Sequence, residues 1–141
     1  MTVIEVESAR EMLAASVADW YVEGAGASKL KKDGSGTPPA LVLRENPDIL
    51  RTIASRSKGR PRLVVGFAAE TDDVEANATA KRLRKGADWI VANDVRPATG
   101  IMGGTENAAI LVTADGAEPW PRMSKEATAE ALADRIAAAL G

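Results

Sequence analysis

The sequence contains no cysteine and no histidine. The first absence excludes disulfides, thiolate metal ligands and a thiol nucleophile. The second removes the side chain most often used as general base and metal ligand near neutral pH. Any catalysis must use lysine, arginine, aspartate, glutamate, backbone amides or an oxygen-bound Mg²⁺. No apolar run approaches the roughly 20 residues that span a bilayer, so no membrane segment is expected. The opening "MTVIEVESAREM" has neither the basic start nor the apolar stretch of a signal peptide, and the expected location is the cytoplasm. The net charge of −2 gives no general attraction for nucleic acid, so a phosphate site would have to be local.

What is present fits one domain over residues 1–141, since 45% apolar and 27% charged residues are ordinary for a soluble chain with a real core. "TVIEV" (2–6) reads as a strand. Ser8 and Glu11 have the spacing of a capping box, which predicts a helix from Ala9 with Ala9, Met12, Leu13 and Val17 on one side. "KKDGSGTPPA" (31–40) predicts a flexible loop, and "LVL" (41–43) a short strand. Asn46-Pro47-Asp48 predicts a helix start, with a cap, a proline in the first helical position and an acid in the first turn. "RLVVGF" (62–67), a helix over 73–85 closed by Gly86, and "DWIVAN" (88–93) form a βαβ pattern, which implies a parallel pair. "AAILVT" (108–113) and "AEPWPRM" (117–123) flank Asp115-Gly116, a hairpin turn signal. Pro119 and Pro121 put the second arm at a sheet edge. Ser124 is placed to cap a last helix whose Leu132, Ile136 and Leu140 share a face. The fold class expected is α/β: a Rossmann-like, mostly parallel sheet with flanking helices and a C-terminal β-hairpin.

Ligands bind beyond the carboxyl ends of strands in open parallel sheets, and both "GFAAE" and "ANDV" sit at such ends. No Walker A pattern is present, and the GxG of "GAGASK" (24–29) lacks the strand-to-helix context of a dinucleotide fingerprint. "SKLKK" (28–32) is either a solvated basic loop or a flap over a phosphate. Lys81 and Lys85 share a helix face with Val74 and Ala78. From pattern alone the opposite stripe, Ala76, Ala80, Leu83 and Ala87, packs on the sheet and the lysines meet water. Asp19 is a helix residue or an acid at a strand end; pattern does not decide.

In combination, "VADW" (17–20), "SKLKK" (28–32), "ENPDIL" (45–50), "VVGFAAET" (64–71), "AKRLRKGAD" (80–88), "IVANDV" (90–95) and the hairpin with "ILVTADG" (107–125) resemble phosphopantothenoylcysteine synthetase, the ligase half of the bacterial bifunctional coenzyme A biosynthesis protein. The resemblance implies a CTP-dependent acid–amino-acid ligase. CTP with Mg²⁺ activates 4′-phosphopantothenate as an acyl-cytidylate, and the cysteine amine displaces CMP. It implies nucleotide contacts at Leu13, Ala14, Ala15, Asp19, Lys29, Asn46, Pro47, Asp48, Ile49, Phe67, Lys81 and Lys85, with Lys29 closing over the triphosphate as the catalytic lysine. It also implies a homodimer formed partly through the hairpin at 107–123, and strand rather than helix for part of residues 9–20. The family's "GGT" loop and asparagine-containing segment, which grip phosphopantothenate, have no counterpart before Thr2. The chain therefore reads as a shortened form, with a non-catalytic nucleotide-binding and dimerisation module as the alternative.

Overall fold

The computed structural model describes residues 2–8, 11–24, 34, 36–38, 40–97, 100 and 104–141, and only the backbone of 2–8 and 11–13. Strands β1 (Thr2–Ser8), β2 (Glu11–Ser16), β5 (Leu63–Glu70), β6 (Trp89–Asp94), β8 (Ala109–Thr113) and β9 (Gly116–Pro119) form one sheet in the order β2-β1-β5-β6-β8-β9. Two small antiparallel pairs stand apart: β3 (Trp20–Val22) with β4 (Leu43–Glu45), and β7 (Glu106–Asn107) with β10 (Met123–Ser124). The helices are α1 (Ile49–Ala54), α2 (Val74–Lys85) and α3 (Lys125–Leu140).

β5 is buried on both faces, and its period of two sorts the core. Val64 and Ala68 face α1 and α2, packing with Leu50, Ile53, Val74, Ala78, Ile90 and Val112. Leu63 and Val65 face α3, packing with Val91, Leu111, Leu132, Ile136 and Leu140. The result is helix, sheet, helix in three layers, the α/β class with flanking helices and a C-terminal hairpin. Its parallel character resides in the β5–β6 pair that α2 connects; the other four pairings of the sheet are antiparallel. No helix among the described residues is long and apolar enough to cross a membrane.

The helix expected from Ala9 does not form; residues 11–16 are the edge strand β2, paired with β1 from Thr2↔Ser16 to Ser8↔Glu11. A capping-box spacing is a helix signal, and here antiparallel pairing with the adjacent strand β1 wins the segment. The strand expected at 41–43 lies two residues later, where Leu43–Glu45 finds its partner in Trp20–Val22. The hairpin turn falls at Ala114-Asp115, with Gly116 already paired to Thr113 at φ 132°, a value that suits glycine. β9 is the edge strand, as its proline requires. Within the hairpin, Ala109, Leu111 and Val112 are buried against the chain itself. The exposed large apolar side chains among the described residues lie elsewhere: Trp20, Tyr21, Leu41, Val42 and Leu43, on and beside the β3–β4 arm, and Leu83 on α2.

Candidate functional site

A cavity of about 690 Å³ opens between the start of α1, the carboxyl ends of β5 and β6, the outer turns of α2 and the approach to β3. Each wall has a local cause. Asp48, not Asn46, is the N-cap of α1: its side chain accepts from the Arg51 amide at 3.0 Å, and Pro47 precedes the helix. Asn46 is a clasp instead. Its Nδ2 donates to the Ala18 carbonyl at 2.8 Å, and its backbone N–H donates to the Asp19 carbonyl at 2.8 Å. That clasp ties the segment carrying Asp19 to the start of α1. On the floor, Phe67, Ala68 and Ala69 end β5, and Asn93 sits beside them on β6.

α2 supplies the cations. It turns Val74 and Ala78 into the core and leaves Ala76, Ala80 and Leu83 exposed, the reverse of the orientation read from pattern; Ala87, past the helix end, is buried. Small side chains let the helix lie close to the sheet, and the lysines on that face reach past its edge into the cavity. Lys81 and Lys85 both line it, with Arg84 beside them. Neither lysine is free. Lys81 Nζ donates to Glu70 Oε1 at 3.2 Å, and Lys85 Nζ donates to Asp48 Oδ2 in a tight ion pair. Burial pulls the Asp48 carboxyl upward, but the bonds from Lys85 and the Arg51 amide, with the charges of Lys85 and Arg51, outweigh it and hold its pKa below the ordinary value.

Of the residues expected at a nucleotide site, the structure brings together Asp19, Asn46, Pro47, Asp48, Ile49, Phe67, Lys81 and Lys85 around this one cavity. Leu13, Ala14 and Ala15 lie on β2; the side chains of Ala14 and Ala15 do not line it, that of Leu13 lies outside the described residues, and β2 leads directly into Val17–Trp20, which do line it. Lys29 lies outside the described residues, as does half of the 31–40 loop. The cavity also contains Glu45, Arg84 and Asn93, which sequence reasoning did not assign to a site. Glu45 and Arg84 lie within the motifs "ENPDIL" and "AKRLRKGAD". Asn93 ends a buried strand with a polar group, a signal already visible in "IVAND", and its Oδ1 is buried without a partner among the described residues. No group of three or more acidic residues among those described is placed to cage a metal.

Residues 1–140 match the family model described as the DNA/pantothenate metabolism flavoprotein C-terminal domain. The chain is 38% identical over 118 residues to the coenzyme A biosynthesis bifunctional protein CoaBC of Vibrio cholerae, and 39% identical over 123 residues to that of Escherichia coli K12. These matches cover 84% and 86% of this chain but 29% and 30% of those proteins. A crystal structure of the C-terminal domain of CoaBC superposes with a TM-score of 0.61 at 29% identity, covering 87% of this chain and 50% of that one. The flavoprotein structure from Streptococcus pneumoniae gives 0.56 at 26% identity, covering 70% of this chain and 42% of that one. The chain thus spans less than a third of the curated relatives and half of the solved C-terminal domain. The resemblance read from the motifs and the three-layer fold agree with these matches, and the chain belongs to the family of DNA/pantothenate metabolism flavoprotein C-terminal domains.

Proposed function

We propose that the cavity is the nucleotide site of a CTP-dependent ligase step in coenzyme A biosynthesis, the step that joins 4′-phosphopantothenate to cysteine. The observation that carries the reading is the meeting of Lys81, Lys85 and Arg84 with Phe67 and the strand ends in one cavity. Cations there would neutralise phosphate charge, and Phe67 offers an apolar wall to a nucleoside. The chemistry suits a chain without histidine. The nucleophile toward the α-phosphate is a carboxylate, already ionised at neutral pH, so the activation step needs charge neutralisation and alignment more than a base. The carboxylate's attack breaks the α–β phosphoanhydride bond and pyrophosphate leaves; cysteine's amine then attacks the acyl carbon of the acyl-cytidylate, and CMP leaves.

Mg²⁺ fits the donor set as an ion brought by the nucleotide. Mg²⁺ usually takes one or two carboxylates plus phosphate oxygens, and Asp19 and Glu45 line the cavity without an ion pair to any described residue. When bound, the ion would offset charge on the phosphates. Lys29 is proposed to approach from outside the described residues. A homodimer belongs to the same proposal; the apolar side chains available for it among the described residues are those of the β3–β4 arm, with the open edge of β9 as a second surface. Calorimetric titration with CTP, ATP and NADPH, each with Mg²⁺, tests the reading. CTP binding that weakens about tenfold or more in Lys81→Gln and in Lys85→Gln supports it, the loss expected for a charge-assisted contact. CTP affinity unchanged in both variants, or a preference for the dinucleotide, contradicts it.

A further inference from the structure

Glu70 ends β5 and closes the stretch "GFAAE", yet it does not line the cavity. It stands behind Lys81, in an ion pair whose two side chains are only 22% and 17% exposed. One helical turn further, Lys85 is held by Asp48 from the start of α1. Each lysine therefore reaches the cavity already paired, by a carboxylate from a different element. Among the described residues the lining holds Asp19, Glu45 and Asp48 against Lys81, Arg84 and Lys85, three of each sign. A wall built only to capture a polyanion would leave its cations unpaired, because every nearby carboxylate repels the incoming charge. Among the described residues this wall is charge-balanced, with one further acid, Glu70, paired to Lys81.

We propose that Glu70 is a selectivity residue of this pocket: by partly neutralising Lys81 it weakens the hold on bare polyphosphate, so that tight occupancy requires a nucleoside as well as phosphates. The proposal rests on the reading of the cavity as a nucleoside triphosphate site. Pyrophosphate, which has no base or ribose to set against Phe67 and the strand ends, would be held weakly and leave. Glu70 acts through Lys81 and touches no ligand. Were it only a brace for Lys81, removing it would weaken every phosphate ligand alike. Were it only a stabiliser of the fold, removing it would lower the melting temperature and leave relative affinities alone.

The test titrates pyrophosphate and CTP, each with Mg²⁺, into the wild type, Glu70→Gln and Glu70→Asp, with melting temperatures measured alongside. Glutamine keeps an acceptor for the Lys81 ammonium and removes the charge. Glu70→Gln is expected to tighten pyrophosphate roughly fivefold, the order expected for deleting one like charge near a partly hydrated anion, and CTP by less. Glu70→Asp keeps the wild-type ratio of the two affinities. Glu70→Ser is the second uncharged variant and must move the ratio in the same direction, which decides the matter should the glutamine variant fold poorly. Equal weakening of both ligands, or no change in either, overturns the proposal. A wild type that takes pyrophosphate but no nucleotide refutes the nucleotide reading by itself, and the pyrophosphate comparison still shows whether Glu70 restrains Lys81. A wild type that takes neither refutes both.

Discussion

Replacing Gly66 with alanine should destabilise the fold through the contact that seats α1 on the sheet. Gly66 lies in the middle of β5. A Cβ there would meet Leu50 Cδ2 at 2.5 Å and Ile90 Cδ1 at 2.7 Å. Carbon atoms in good contact stand roughly 3.5–4.0 Å apart, so both neighbours must move. Each of those side chains is 0% exposed, and neither can swing into solvent. Forcing an extra methyl into such a core costs about 1–3 kcal/mol. At roughly 2–4 °C per kcal/mol for a chain near this size, the melting temperature should fall by about 2–12 °C. Leu50 belongs to α1, whose start carries Asp48 and through it Lys85, so ligand affinity at the cavity should fall as well. Urea unfolding is the assay, with the denaturant slope unchanged so that the midpoint shift reports stability. Leu50→Ala should cost less in the Gly66→Ala background than in the wild type, because the two substitutions share one space. A Gly66→Ala protein within about 0.5 kcal/mol of the wild type, with no such coupling, would refute the close approach.

Three further outcomes follow from single residues. Arg60 binds the Ala54 carbonyl at 2.9 Å, the Pro61 carbonyl at 3.1 Å and both Asp88 oxygens at 3.0 Å, so Arg60→Ala should cost about 1–3 kcal/mol in urea unfolding while leaving nucleotide titrations unchanged. Ser124 accepts from the Ala127 amide at 3.0 Å as the cap of α3, so Ser124→Ala should cost about 1 kcal/mol in the same assay, with Ser124→Asp close to neutral. Asp48→Asn preserves a good cap and removes the charge that meets Lys85. Because the Asp48 pKa is depressed in the folded state, its contribution is complete above the ordinary value of 3.8 and is lost as the pH falls below it. The variant should therefore melt below the wild type at neutral pH and converge with it in acid; a gap that persists unchanged through that range contradicts the ion pair's role.

The parts legible in the sequence were those whose signal and cause are both local. The β5–α2–β6 unit announces itself by two apolar runs, a helical stretch and Gly86, and Gly86 takes the positive φ of 71° that ends α2. Ser124 and the i, i+4 leucine and isoleucine face of α3 are of the same kind. Residues 11–16 were not legible from pattern, because the capping signal at Ser8 and Glu11 competes with antiparallel pairing to β1, whose other edge lies against β5. The face of α2 was misread from its stripes for a related reason. Burial there is decided by how closely the helix approaches the sheet, and Ala78 permits what the larger Leu83, left 67% exposed, would hinder. The cavity residues at 19, 46–49, 67, 81 and 85 came from the motif resemblance; hydropathy alone would have sent both lysines to solvent. Glu70 was hidden because its role depends on an ion pair formed across elements, and Arg84 because its place depends on which face α2 turns to the cavity.

The most direct test of the central claim is amide NMR of the chain titrated with CTP and Mg²⁺. The account predicts shifts concentrated at 17–20, 45–49, 67–69, 81–85 and 93, the segments that line the cavity. It predicts little change at 108–110 and 120, which line a separate hollow near the hairpin. Shifts confined to that second region, or none at millimolar CTP, would contradict it.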